Sequence, residues 1–194
     1  VHSAPTLRCA VDFEPIGRMQ AEGRWDEAGE VLAGADQRLE RGGADLLVLC
    51  TNTRHKVAPA IEARVRIPLL HIADAAAVEM KAKGVRKAGL LGTRFTMEQD
   101  FYRARLLDRH GIEAVVPAEA DRAFVHRVIY DELVRGIVSD ASRQAYLDVI
   151  ARLVDRGAEG VIAGCTEIEL LVGPEDVEVP YFASQEIHAP PAVV

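Results

Sequence analysis

A thiol, a hydroxyl and a carboxyl follow one another at Cys165, Thr166 and Glu167, directly after a short apolar stretch. A cysteine at the end of a strand and just before a helix is suited to acid–base chemistry, because a helix N-terminus favours the thiolate. A cysteine in such a position can have a lowered pKa. The backbone amides at the same place suit a ligand carboxylate. The alternative is a buried structural thiol, which is common in proteins.

A second segment repeats this design earlier in the chain. An ungapped alignment pairs Gly43, Thr51, Asn52 and Thr53 with Gly157, Cys165, Thr166 and Glu167, in that order. Cys50 falls one position before Thr51. Because side chains alternate between the two faces of a strand, we expect Thr51, and not Cys50, to point where Cys165 points.

The elements around these segments alternate between strand and helix, which predicts an α/β fold. The repeat favours two pseudo-symmetric lobes, residues 1–83 and 84–194, each a parallel sheet flanked by helices. Functional loops lie beyond the carboxyl ends of strands in such sheets, so we expect the site between the lobes. The expected strands cover residues 6–13, 46–49, 67–72, 87–93, 112–116, the stretch before Cys165, and 177–182. The expected helices cover residues 25–41, 55–62, 73–83, a helix capped by Thr96, 120–136, 139–156 and 168–171.

Composition limits the classes of function. The chain has 194 residues and a net charge of −7, with no basic stripe interleaved with aromatic residues, so nucleic acid is not an expected partner. It contains no run of 18 apolar residues, so we expect no membrane span. Three widely separated cysteines argue against a disulfide framework and favour a cytoplasmic setting. No pair of cysteines or histidines has the spacing of metal ligands, so we expect no metal site. Cys9 and Cys50 are expected in the core.

These segments resemble the aspartate/glutamate racemase family, whose members use no pyridoxal cofactor. The resemblance rests on residues 11–13, 50–53, 90–98, 101–102, 164–168 and 187–189. In that family two cysteines flank the substrate α-carbon, and one removes the α-proton while the other protonates the opposite face. The resemblance implies that Cys165 is the thiol acid/base facing the L-isomer. It also implies that Thr51 replaces the opposing thiol.

The same resemblance assigns the substrate contacts, and no cofactor is implied. The residues expected to bind an acidic or related amino acid are Asn52, Thr53, Thr166, Glu167, Gln20 and Arg135. Arg135 stands where some members carry a basic residue for the side-chain carboxylate. The opening strand and Gly-Gly loop of the family have no counterpart here, so we expect the first lobe to be truncated and the isolated chain to fold poorly.

Two other functions stay open. One is a single-cysteine decarboxylase of malonate-type acids, in which carbon dioxide leaves one face and a proton arrives from the thiol. The other is a non-catalytic amino-acid-binding protein or fragment. The expected partner is in each case a small molecule, and a homodimer is one option for assembly.

Overall fold

The structure is a computed structural model that describes residues 5–188. The outer ends of the two expected lobes and the last residue of the stretch 187–189 lie outside the described residues. The strands are β1 (Leu47–Val48), β2 (Leu69–Leu70), β3 (Lys87–Gly92), β4 (Glu113–Val115), β5 (Gly160–Gly164) and β6 (Tyr181–Ala183). The α-helices are α1 (Phe13–Ala21), α2 (Trp25–Arg41), α3 (Ala58–Glu62), α4 (Ile72–Ala82), α5 (Arg94–Glu98), α6 (Asp100–His110), α7 (Glu119–Asp131), α8 (Asp140–Asp155) and α9 (Ser184–His188). Short 3₁₀ segments cover Thr53–Val57, Leu133–Arg135, Thr166–Leu170 and Pro174–Asp176.

The strands form two parallel sheets, which confirms the α/β prediction. One sheet pairs β1 with β2, and the other has the order β4-β3-β5-β6. Every pairing is parallel, so the carboxyl ends of β3, β5 and β6 share one edge. Between residues 5 and 188, no helix is both long and apolar enough to cross a membrane.

The sequence repeat is visible in the backbone. Gly43 and Gly157 follow α2 and α8 and have positive φ angles of 93° and 89°. In each case the amide of the next residue donates to the carbonyl five residues earlier, at 3.1 Å and 3.0 Å. Glycine suits this left-handed helix ending because it has no Cβ. The two helix-to-strand turns before the site are therefore built alike.

The central strands β3 and β5 approach closely near their carboxyl ends. A Cβ on Gly164 would lie 2.7 Å from the carbonyl oxygen of Leu91, and one on Gly92 would lie 2.9 Å from the carbonyl oxygen of Gly164. Real Cβ atoms do not come this near. Glycine at both positions therefore lets the two strand ends, and the polar residues that follow them, lie side by side.

Helix α4 connects the two sheets. It follows β2, yet Ile72 and Met80 are fully buried in one apolar cluster with Leu90 of β3 and Ile162 of β5. Burial of such side chains contributes roughly 1.5–3 kcal/mol each. This packing fixes the first sheet against the second.

The expected strand at residues 6–13 is wrong. Residues 5–12 contain no helix or strand, and α1 begins at Phe13. The Asp12 side chain accepts a hydrogen bond from the Glu14 amide at 3.3 Å and so caps the helix. Pro15 lies in the first turn, where a helix needs no amide donor, and does not end the element.

The N-cap of the helix after β3 is also different from the expected one. Thr93 caps α5, and its Oγ1 accepts a hydrogen bond from the Thr96 amide at 3.4 Å. Thr96 is the third residue of that helix. The cap is the residue that leaves the strand, because its extended backbone lets the side chain reach the first turn.

Candidate active site

A buried hydrogen-bond chain joins the end of β1 to the end of β5. Asn52 Nδ2 donates to Ser184 Oγ at 3.0 Å, and Ser184 Oγ donates to the carbonyl oxygen of Ala163 at 2.7 Å. Asn52 and Ser184 are both buried. Ala163 stands two residues before Cys165. These two hydrogen bonds therefore hold the segment after β1 against the strand that carries the thiol.

Asn52 keeps one buried atom without a partner. The only proton of the Ser184 hydroxyl goes to Ala163, so this hydroxyl accepts from the amide of Asn52 and sets its orientation. Asn52 Oδ1 is buried and has no hydrogen-bond partner among residues 5–188. An unpaired buried acceptor is unfavourable, and a ligand N–H group can satisfy it.

Three threonines cluster at the same edge. Thr53 Oγ1 is hydrogen-bonded to Thr93 Oγ1 at 2.9 Å and to Thr96 Oγ1 at 3.2 Å. All three are buried. Thr53 follows β1 and the other two follow β3, so this cluster is a second contact between the two sheets.

Cys165 lies at the end of β5 with its thiol half-buried. Its Sγ donates to Glu167 Oε2 at 2.9 Å. Burial, and then the negative charge of Glu167, raises the pKa of the Cys165 thiol well above its usual range. Cys165 therefore does not have the lowered pKa that a cysteine at a helix N-terminus can have. The helix that was to stabilise the thiolate is a 3₁₀ segment of five residues, Thr166–Leu170, whose effect is smaller than that of burial and the carboxylate.

Thr51 is half-buried, and a histidine fixes its backbone. His55 Nδ1 donates to the carbonyl oxygen of Thr51 at 2.6 Å, while His55 Nε2 accepts from the Ile72 amide at 3.2 Å. Burial lowers the pKa of His55 to about 4, so the ring is neutral near pH 7. The His71 ring centroid lies 4.4 Å from that of His55. His55 therefore ties the loop at Thr51 to the first residue of α4, and His71 packs against the His55 ring.

The other two cysteines stand apart from this chemistry. Cys50 is exposed, so its expected place in the core is wrong; β1 ends at Val48, and Cys50 lies in the loop beyond it. Its Sγ has a long contact of 3.8 Å to the Val48 carbonyl. Cys9 is half-buried, with Sγ 3.7 Å from a guanidinium nitrogen of Arg38.

The remaining expected contacts occupy different surroundings. Gln20 is buried in α1, on the side of the helix that also presents Phe13 and Gly17. Thr166 is exposed at the first position of its 3₁₀ segment. Arg135 is exposed at the end of the segment Leu133–Arg135. The assigned roles of these three residues in substrate binding stay predictions.

The sequence analysis missed a cavity of about 420 Å³ on this side of the molecule. The residues that line it are Phe13, Glu14, Gly17, Arg18, Ala21, Arg94, Phe95, His126 and Tyr130. Burial raises the pKa of Tyr130, and the charges of Cys165 and Glu167 raise it further. Arg94 directly follows Thr93 at the end of β3. Its place after a strand was a sequence signal that could have identified it.

Comparisons with known proteins show what the chain is similar to. The family model for Asp/Glu/hydantoin racemase matches residues 2–192. The crystal structure of a candidate Asp/Glu racemase from Yersinia pestis is 52% identical, with a TM-score of 0.92 over 99% of this chain and 84% of that one. An aspartate racemase homologue from Pyrococcus horikoshii OT3 is 36% identical, with a TM-score of 0.80 over 94% of this chain and 79% of that one. The broad specificity amino-acid racemase RacX of Bacillus subtilis is 22% identical over 82% of this chain and 68% of its own length.

Proposed function

The chain belongs to the Asp/Glu/hydantoin racemase family of isomerases, and we propose that it racemises an acidic or related amino acid without a cofactor. The observation that carries this proposal is the thiol–carboxylate pair of Cys165 and Glu167, 2.9 Å apart at the end of β5. The segment that contains Thr51 is held against the same strand by Asn52.

Two proton transfers, one on each face of the α-carbon, interconvert the enantiomers. The Cys165 thiol transfers its proton to Glu167, and the resulting thiolate takes the α-proton of the L-isomer. A proton from the Thr51 side then reaches the opposite face of the carbanion and gives the D-isomer. Because a threonine hydroxyl is a weak acid, a water molecule hydrogen-bonded to Thr51 supplies this proton. The hydroxide that is left takes a proton from solvent, and Glu167 releases its proton to solvent, which restores the starting state.

The residues that follow β1 and β5 bind the ammonium and α-carboxylate groups of the substrate. The unpaired Oδ1 of Asn52 accepts from the substrate ammonium group. The hydroxyls of Thr53 and Thr166 hold the α-carboxylate. These contacts require an amino acid and do not favour a malonate-type acid, which offers no ammonium donor to Asn52. The decarboxylase is therefore the less favoured function.

The site has one thiol, so the two enantiomers should differ in rate. In this proposal the L-isomer presents its α-proton to Cys165, whereas the D-isomer presents it to Thr51. The equilibrium constant stays near unity because enantiomers have equal free energies. We expect α-proton exchange from the D-isomer to be about 100-fold slower, at the low end of what a positioned acid–base group contributes.

The test is deuterium wash-in at the α-carbon from heavy water, started separately from the L- and D-forms of aspartate and glutamate. Faster initial wash-in from L supports the one-thiol site, and Thr51→Cys should raise the D-rate relative to the L-rate. Equal initial rates in the wild-type protein would refute it. Calorimetric binding of these amino acids without any exchange would instead select the non-catalytic binding protein.

Two further points are part of the proposal. The lobes divide at residues 1–83 and 84–194, with the substrate between them. A homodimer remains a proposal for assembly.

A further inference from the structure

The loop that carries Thr51 is held by one buried side chain from the segment that follows it. His55 Nδ1 donates to the carbonyl oxygen of Thr51 at 2.6 Å, and His55 Nε2 accepts from the amide of Ile72, the first residue of α4, at 3.2 Å. His55 is only 1% exposed. Inside the loop, the Thr51 amide donates to the carbonyl oxygen of Leu49 at 2.7 Å, and the His55 amide donates to that of Asn52 at 3.1 Å. The backbone of Thr51 is therefore bonded at both its amide and its carbonyl.

The two partners of the His55 side chain fix the protonation state of its ring. A backbone carbonyl oxygen can only accept, so Nδ1 carries the proton. A backbone amide can only donate, so Nε2 keeps its lone pair. The first amides of a helix have no partner inside the helix, and Nε2 provides one for α4. His55 therefore has two separate contacts: Nδ1 holds Thr51, and Nε2 accepts from the first residue of α4.

Two further histidines hold the His55 ring in this orientation. The ring centroids of His71 and His188 lie 4.4 Å and 5.6 Å from that of His55, and both residues are buried. Each is itself bonded to the backbone. His71 Nδ1 accepts from the Ala73 amide at 3.2 Å, and His188 Nε2 donates to the carbonyl oxygen of Leu70 at 2.7 Å. A side chain that is locked by packed and bonded neighbours can place another residue precisely.

Asn52, the next residue after Thr51, is held separately. Its side chain donates at 3.0 Å to Ser184, the first residue of α9, and this contact does not involve His55. Loss of the Nδ1 contact should therefore release Thr51 and leave the Asn52 contact in place. In the proposed site, the consequence is a change in proton transfer and not in the binding of the substrate ammonium group.

We propose that His55 is a positioning residue for proton transfer on the Thr51 face of the substrate. This inference rests on the proposed function, in which the D-isomer presents its α-proton to Thr51. His55 acts through the backbone of Thr51, which sets where its hydroxyl points. A reacting group that is misplaced by about 1 Å can lose about 100-fold in rate. The L-isomer presents its α-proton to Cys165 on the other face, so exchange from the L-isomer depends much less on His55.

The test uses two variants that each keep one contact of the ring. In His55→Asn the amide nitrogen can replace Nδ1 and donate to Thr51, whereas in His55→Gln the amide oxygen can replace Nε2 and accept from Ile72. The readout is the D-to-L ratio of initial α-deuterium wash-in rates. His55→Gln should lower this ratio about 10- to 100-fold with little change in KM, and His55→Asn should keep it. The comparison is repeated with Thr51→Cys as the parent, in which the D-rate should be faster and easier to measure.

The matched control is His110→Gln on α6. His110 Nε2 lies 2.8 Å from Asp74 Oδ1, so this histidine also contacts the first turn of α4, but through a side chain and not through the Thr51 loop. It should leave the D-to-L ratio unchanged. Thr51→Ala shows whether His55 acts through Thr51. Combined with His55→Gln, it should lower the D-rate no further than Thr51→Ala alone, because a hydroxyl that is absent cannot be misplaced.

A ratio of two rates does not depend on the fraction of enzyme that is folded, so a loss of stability cannot imitate the expected result. Equal slowing from both enantiomers in His55→Gln would overturn the positioning role, as would a D-specific loss of the same size in His110→Gln. Thr51→Ala separates this failure from failure of the proposed function. If Thr51→Ala leaves D-exchange unchanged, the one-thiol mechanism fails. If it slows D-exchange while His55→Gln does not, only the role of His55 fails.

Discussion

Replacing Glu167 by glutamine should make the Cys165 thiol easier to ionise and yet slow turnover. The carboxylate oxygen accepts the thiol hydrogen bond at 2.9 Å, and its negative charge raises the pKa of the thiol. A neutral amide in the same place removes that charge, so the pKa of Cys165 falls. The amide cannot take the thiol proton, so the thiolate can no longer form by transfer to its neighbour during the reaction.

The size of the loss follows from the role of the lost group. A positioned acid–base group contributes about 100- to 10,000-fold in rate. We expect kcat to fall at least about 100-fold, or about 2.7 kcal/mol of activation free energy. The effect on folding should be smaller. Glu167 is half-buried, so loss of its hydrogen bond should cost on the order of 1 kcal/mol.

Two assays on one variant separate these effects. Turnover is measured by deuterium wash-in, and thiol ionisation by the pH dependence of iodoacetamide alkylation at Cys165, followed by peptide mass spectrometry. The background carries Cys9→Ala and Cys50→Ala. Glu169→Gln is the matched control, because Glu169 is on the same 3₁₀ segment and its charge acts on Cys165 less strongly.

An alkylation profile of Glu167→Gln that moves to higher pH would contradict the proposed effect of the carboxylate on the thiol pKa. Unchanged turnover would contradict the proposed proton transfer, since Glu167 would then not take the thiol proton. A loss of turnover in Glu169→Gln equal to that in Glu167→Gln would show that the general acidity of the segment matters and the hydrogen bond does not.

Three other variants or conditions test the site and its support. Cys165→Ala should abolish racemisation, measured by chiral chromatography, and leave the thermal transition intact. Cys50→Ala should keep most of the activity. The reverse result would contradict the expectation that Thr51, and not Cys50, points where Cys165 points. Stability should fall as pH falls, because the pKa values of His55 and His71 are lowered to about 4 and about 2, so the unfolded chain binds more protons below pH 6.5. For His55 alone we expect the free energy of unfolding, measured with urea, to fall by on the order of 3 kcal/mol by pH 4. In the His55→Gln variant this free energy should depend less steeply on pH. Gly164→Ala should destabilise the fold by about 1–3 kcal/mol, because its Cβ would meet a β3 carbonyl at 2.7 Å; an unchanged thermal midpoint would contradict this.

Helical periodicity was the most dependable sequence signal. The spacing of Ala28, Val31, Leu32, Ala35 and Leu39 predicts a helix over 25–41, and α2 has those bounds. Ala28, Leu32 and Ala35 are buried, whereas Leu39 is half-buried and Val31 is exposed. The wrong strand prediction at residues 6–13 shows where a sequence pattern is ambiguous. Residues 6–13 mix apolar and polar types without a helical period, and Pro15 suggests an end, although a proline in the first turn also fits a helix start.

Sequence reasoning predicted residues for the site but not its electrostatics. The repeat correctly indicated that the segments at Thr51 and Cys165 follow equivalent turns, since backbone geometry repeats with glycine positions. The pKa of Cys165 could not be predicted in this way. It depends on burial by distant elements and on the rotamer of Glu167, which turns back toward the thiol.

The raised pKa of Cys165 suits a site that has a single thiol. In a site with two thiols, one is deprotonated and acts as the base, while the other is protonated and acts as the acid. In the proposed mechanism the second face has only the hydroxyl of Thr51, so Cys165 would serve as acid in one direction and as base in the other. A thiol that rests protonated is ready to act as the acid. Glu167, at hydrogen-bond distance, gives its proton a place to go when a base is required. In the proposed mechanism the carboxylate thus provides a second proton position on the same face, which would allow one thiol to act in both directions of the reaction.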